Sequence, residues 1–83
     1  MKKNSNKTKL LSIYSKKLKI KEIELIKYLK KNKDLRINET PGWDSFAHTL
    51  ILIEIEKKFK IKITADNAKN FFEFKKTLNF LNK

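Results

Sequence analysis

Apolar residues recur at spacings of three and four through the first part of the chain. Leu10, Leu11, Tyr14 and Leu18, then Leu25 and Leu29, form one ladder, with Ile13, Ile20, Ile23 and Ile26 beside it. No proline or glycine interrupts residues 7–31. Such a period, with polar residues between, predicts amphipathic helix. The β-branched Ile20 and Ile23 leave open whether one helix runs through or two pieces join near Leu18–Lys21. Asn32, Lys33 and Asp34 read as a helix end, and Leu35 and Ile37 alternate with polar residues in an irregular connection.

Turn chemistry follows in Asn38-Glu39-Thr40-Pro41-Gly42. Thr40 precedes proline and is biased to extended geometry, and Gly42 is free to take positive φ. Asp44 or Ser45 then caps a second long helix by accepting a backbone N–H two or three residues on. Phe46, Thr49, Leu50, Leu52, Ile53 and Ile55 give it a broad apolar face, and Glu56, Lys57, Lys58 and Lys60 mark its polar end. Phe59, Ile61 and Ile63 alternate with lysines, which is a strand pattern. A lone strand would leave backbone groups unpaired, so this segment is read as helix exit and loop. Thr64 or Asp66 is placed to cap a short helix containing Ala68 and Phe71. A last helix carries Phe74, Leu78 and Leu81 on one face, with Phe72 and Phe80 near it. The expectation is an all-α chain with residues 1–83 forming a single domain.

Eighty-three residues bury a modest core and sit close to the stability margin. With no cysteine and one histidine, neither disulfides nor a metal-ligand cluster is expected. No apolar run approaches the roughly 20 residues of a membrane span. Met1-Lys2-Lys3-Asn4 is not followed by a secretory h-region, so a cytoplasmic protein is expected. The net charge of +12 changes the picture of partners, because it is uneven. Residues 1–33 carry twelve lysines against Glu22 and Glu24, or +10, and the remainder carries +2. That asymmetry points to nucleic acid, an anionic membrane surface or an acidic protein, or else reflects a general bias toward lysine, asparagine and isoleucine.

The chain's only proline, glycine, tryptophan and histidine all fall between Pro41 and His48. Within that stretch Ser45 sits at a helix start behind a sharp turn, within reach of another protein's active site. On its own it reads as a helix cap. The segment Pro41-Gly42-Trp43-Asp44-Ser45-Phe46, with His48 three residues after the serine, resembles the attachment site of acyl carrier proteins. The resemblance extends through Ile51, Leu52, Ile53, Ile55, Glu56, Phe59, Ile61 and Ile63, the segment Thr64–Ala68, and Phe71, Phe74, Leu78 and Leu81. It covers residues 42–81 without a gap. Residues 1–40 match only as a helix and a long loop.

The resemblance implies a small four-helix bundle with a long first loop and a short third helix. It implies that Ser45 carries 4′-phosphopantetheine, derived from coenzyme A, and that the arm's thiol holds acyl or aminoacyl groups as thioesters. The chain would then be no enzyme but a monomeric substrate carrier. Its partners would be a phosphopantetheinyl transferase, a loading ligase and downstream transferases. Asp44 would cap the helix and assist the transferase reaction. Ile53 and Phe59 would line an acyl cleft, with a solid core as the plainer alternative. Trp43 and Phe46 would recognise partners or pack the loop, and their size favours packing. His48 lies one helical turn beyond Ser45, but a Ser–His hydrolase would need an orienting acid and an oxyanion hole, and no motif supplies them.

The family is usually acidic along its second helix. Here Leu50, Lys57 and Lys58 stand where acids are common, and only Glu54 and Glu56 remain. Docking to fatty-acid synthesis enzymes with basic surfaces is therefore disfavoured, and a dedicated lipid, polysaccharide or secondary-metabolite pathway is implied. The Asp-Ser-Phe form also occurs in D-alanyl carriers. The alternative is a small basic helical nucleic-acid-binding domain. A single arginine and aromatics spaced for a core argue against it.

Overall fold

The computed structural model describes residues 5–82. Four α-helices run in the order α1 (Ser5–Leu18), α2 (Glu22–Asn32), α3 (Ser45–Phe59) and α4 (Phe74–Leu81), with a 3-10 turn at Ala68–Phe71 before α4. The described residues contain no named strand and are all-α. No described helix is long and apolar enough to cross a membrane.

The first periodic segment is two helices. α1 ends at Leu18, Lys19 takes left-handed geometry at φ 60°, and α2 begins after Lys21. The Ile20 N–H reaches back to the Ser15 carbonyl, and the Ser15 hydroxyl donates to the Ile20 carbonyl, which fixes the corner. The long first loop implied by the family resemblance is thus partly helical: α2 occupies its first half.

Two other helices also end on lysines. Lys33 (φ 68°) and Lys60 (φ 54°) close α2 and α3 in the left-handed region. Their N–H groups satisfy the Leu29 and Glu56 carbonyls. Glycine is the usual residue at such stops. With one glycine in the chain, hydrogen bonds offset the steric cost of a side chain there.

α1 packs against each of the other α-helices. Leu10, Ile13, Tyr14 and Leu18 meet Leu25, Leu35, Trp43, Ile51, Ile55, Phe71 and Phe74 in one core. Tyr14 lies at its centre, edge-on to Trp43 at 4.8 Å and to Phe74 at 5.4 Å between ring centroids. Its hydroxyl finds no hydrogen-bond geometry among the described residues, although Thr77 is near. Burial therefore raises its pKa.

The connection after α2 is clamped to the start of α4. Buried Asp34 accepts N–H bonds from Leu35 (2.8 Å) and from Lys75 (3.0 Å) in the first turn of α4. The Phe74 N–H donates to the Leu35 carbonyl, the Ile37 N–H to the Phe72 carbonyl, and Arg36 pairs with Glu73 at 3.1 Å. Asp34, forty-one residues away from Lys75, thus supplies the cap that Glu73, the residue before α4, does not make.

The stretch after α3 is irregular, as expected for Phe59 to Ile63. The cap expected from Thr64 or Asp66 is instead a reciprocal pair. Asn67 Oδ1 accepts the Thr64 N–H, Thr64 Oγ1 accepts the Asn67 N–H, and Asp66 is exposed. Phe72 falls outside α4, in the corner before it, and is 44% exposed.

Candidate functional site around Ser45

The approach to Ser45 is a chain of hydrogen-bonded turns. Thr40 is buried; its hydroxyl accepts the Arg36 N–H and its own N–H donates to the Arg36 carbonyl. The Trp43 N–H donates to the Thr40 carbonyl at 3.0 Å across Pro41-Gly42. Proline first and glycine at φ 82° second are the requirements of a type II turn. A Cβ on Gly42 would stand 3.2 Å from the Leu18 carbonyl oxygen, so the turn presses against the end of α1. The Asn38 N–H donates to the Trp43 carbonyl at 2.7 Å and closes the loop.

Trp43 is 1% exposed and anchors this loop in the core. Its indole N–H donates to His48 Nδ1 at 3.0 Å. His48, buried on the first turn of α3, lies with its ring centroid 5.2 Å from that of Phe72 in a stacked arrangement. Trp43 and His48 therefore pack the site from beneath, where neither presents a surface to a partner. His48 Nδ1 accepts from the indole, so in the neutral ring the proton lies on Nε2, which then donates rather than accepts. The signal for this bond is present in the sequence, since a buried indole needs an acceptor and His48 lies five residues on.

Asp44 is the N-cap, as the sequence suggests. Its carboxylate accepts the Ala47 N–H at 2.9 Å, and its carbonyl accepts the His48 N–H. Ser45 is the first residue of α3 and is exposed. Among the described residues no hydrogen bond engages its hydroxyl, so it is not the cap. Phe46 beside it is 74% exposed; packing of the loop, the expectation from its size, does not apply to Phe46.

Along α3 the remaining candidates separate. Ile53 is 45% exposed on the outer side, in line with Phe46 and the half-buried Leu50. Phe59 is half-buried, with Lys9 Nζ 5.9 Å from its ring centroid. Glu56 turns inward and accepts the Ile63 N–H at 2.8 Å, holding the segment that leaves α3. Ile53 and Phe59 line none of three surface pockets of about 280, 330 and 210 Å³. An open polar hollow of about 330 Å³ lies over Asn38–Asp44, directly before Ser45. An apolar pocket of about 280 Å³ lies between α2 and Thr40–Pro41, lined by Ile20, Leu25 and Tyr28. No group of three metal-ligating side chains occurs among the described residues.

Burial lowers the pKa of His48 from its ordinary 6.5. A proton on Nδ1 would also convert the acceptor of the Trp43 bond into a donor. The folded chain therefore binds fewer protons than the unfolded chain just below the ordinary histidine pKa, and stability rises with pH there. The contribution is complete above about pH 6.5 and declines as pH falls from there through the lowered folded value. The expected result is a falling urea midpoint from about pH 7.5 to about pH 5.5. His48→Asn retains an acceptor that does not titrate and should flatten that dependence. Equal slopes for the two proteins would remove His48 as its source.

The geometry amounts to an exposed hydroxyl on a rigid turn, at the positive end of a 15-residue helix, beside one exposed phenyl ring. No family model, curated protein or solved structure matches the chain.

Proposed function

We propose that the chain is an acyl carrier protein in which Ser45 holds 4′-phosphopantetheine and the arm carries acyl or aminoacyl thioesters. The observation that carries this reading is the uncommitted, exposed Ser45 hydroxyl at the start of α3, held there by the Asp44 cap. In the resemblance to carriers, α1, α3, the 3-10 turn and α4 take the places of the family's four helices, and α2 is an addition within its first loop.

The chemistry needs little from this chain. A phosphopantetheinyl transferase supplies the base, Mg²⁺ and coenzyme A. The Ser45 oxygen bonds to the phosphorus of the phosphopantetheine half as the diphosphate P–O bond breaks. The serine proton passes to the transferase base, and adenosine 3′,5′-bisphosphate leaves. The new phosphodiester anion lies at a helix N-terminus, where free N–H groups and the dipole favour negative charge by about 0.3–1 kcal/mol at an exposed position. The polar hollow over Asn38–Asp44 lies directly before Ser45, which supports a polar surface for the first atoms of the arm.

Both acids of α3 are engaged within the chain, Glu54 with Lys17 at 4.0 Å and Glu56 with the Ile63 N–H. Besides Ser45, the side chains α3 offers outward are Phe46, Thr49, Ile53, Lys57 and Lys58. Loading and receiving enzymes for this carrier therefore have an apolar contact for Phe46 and an acidic rim, the opposite sign from enzymes that read acidic carriers. This supports a dedicated pathway over general fatty-acid synthesis. The nucleic-acid reading has less to stand on, because the chain has a single arginine and Phe71 and Phe74 are core residues; Phe46 and Phe72 are the exposed rings.

Because the chain has no cysteine, thiol titration tests the reading directly. The untreated protein gives no thiol. After incubation with coenzyme A, Mg²⁺ and a broad-specificity transferase, then desalting, the expected titre is one thiol per chain. A titre that stays at zero beside a working control carrier contradicts the proposal.

A further inference from the structure

We infer that the outward face of α2 is a docking surface for an anionic lipid bilayer. The helix buries Leu25 and half-buries Tyr28 and Leu29. At 100° per residue, Ile23, Ile26, Lys27, Lys30 and Lys31 share the opposite side, and all five are exposed. Ile23 is 56% exposed and Ile26 is 37% exposed, one helical turn apart. Lys19 and Lys21 before the helix and Lys33 after it are exposed as well. Two aliphatic side chains thus stand within a surround of lysines, and Glu22 and Glu24 fall to the flanks of this face. Residues 1–33 as a whole carry +10.

The composition of the face selects among polyanions. Isoleucine gives a phosphate backbone nothing to bond, and the face has neither the arginine that reads bases nor an aromatic ring that stacks on them. A folded acidic protein requires on the order of 800 Å² from each side for a stable contact. An eleven-residue helix, roughly 16 Å long and offering two aliphatic side chains, falls short of that. A bilayer has no such threshold. Branched aliphatics enter the headgroup–acyl boundary while lysine stems extend back to the phosphates. Lysines near an anionic surface add attraction one by one. The inference uses no property of Ser45 and stands whether or not that residue is modified.

Co-sedimentation of the full chain with phosphatidylcholine vesicles, with and without phosphatidylglycerol, tests it. Binding to the anionic vesicles is expected, with none to the neutral ones. Ile23→Ser with Ile26→Ser should weaken that binding about tenfold. Lys27→Gln, Lys30→Gln and Lys31→Gln together, which keep both isoleucines, should weaken it about a hundredfold. All five positions are exposed, and unchanged helical circular dichroism confirms that each variant is folded. Equal sedimentation with both vesicle types, or with neither, overturns the inference. So does anionic binding that the isoleucine pair does not affect, which is charge attraction alone. Salt-sensitive retention on a DNA duplex without vesicle binding would assign the lysines to nucleic acid and likewise overturn it.

Discussion

Replacing Trp43 with alanine is expected to destabilise the fold by about 3–5 kcal/mol, the usual cost of deleting a fully buried large aromatic. Three separate losses add at this position. The ring is edge-on to Tyr14 at the centre of the core, so its removal opens a cavity that α1 cannot fill. The indole N–H is the partner of His48 Nδ1, which is then left buried without it. The loop that presents Ser45 also loses its anchor two residues before the serine. An 83-residue domain sits toward the lower end of the usual range of about 5–15 kcal/mol, so the variant should lose a large part of its stability. Trp43→Phe restores most of the volume and none of the hydrogen bond, and should fall between alanine and the wild type. Urea denaturation checks both. A loss below about 1 kcal/mol for the alanine variant would mean that the loop is anchored elsewhere.

Asp34→Ala should cost about 2–4 kcal/mol although the side chain is no part of the site around Ser45. Its Oδ1 accepts two backbone N–H groups, those of Leu35 and Lys75, from parts of the chain that share no helix. Alanine leaves both donors without the acceptor and removes the negative charge at the start of α4. Asp34→Asn keeps one oxygen as acceptor while it removes the charge and exchanges the second oxygen for an NH2 donor, so it should cost less, roughly 1 kcal/mol. Hydrogen exchange gives a local readout, with the Lys75 amide expected to exchange faster in the alanine variant than in the asparagine variant. Equal losses for the two substitutions would show that charge, not the pair of bonds, is what matters.

Much of this was legible. Pro41-Gly42 declared a turn with positive φ at the glycine, Asp44 declared a cap, and the apolar spacing after it declared α3. The all-α character and the irregular exit from α3 also followed from period and pairing. Other features are less legible. The helix ends near Lys33 and Lys60 fall where the polar residues place them, but the left-handed geometry of Lys19, Lys33 and Lys60, closed by local backbone hydrogen bonds, is not announced by the propensity of lysine. For that reason the period alone does not decide between one helix and two from Lys7 to Lys31. Ile23 and Ile26 looked like neighbours of the core ladder, yet they face outward, because apolar counting does not tell which side of a short helix meets the rest of the fold. Asp34 read as a helix end, whereas its acceptor serves α4, a contact that exists only once the chain has closed.

At the site, the packing expected of Trp43 holds, and the same expectation fails for Phe46. Trp43 and His48 form a buried hydrogen-bonded pair, and Phe72 covers His48 from the corner before α4. Phe46, by contrast, is the ring left at the surface. The difference lies in register. Phe46 is the second residue of α3, on the side away from Ala47, Ile51 and Ile55, and nothing in the identity of a phenylalanine records that.

The central claim is that Ser45 is a covalent attachment point, and intact-mass spectrometry reads it most directly. The chain and Ser45→Ala are each incubated with coenzyme A, Mg²⁺ and a broad-specificity phosphopantetheinyl transferase, with a known carrier as control. The expected result is a gain of one phosphopantetheine by the wild type and none by a folded Ser45→Ala. No gain by the wild type while the control is modified, or the same gain in both, would contradict the account.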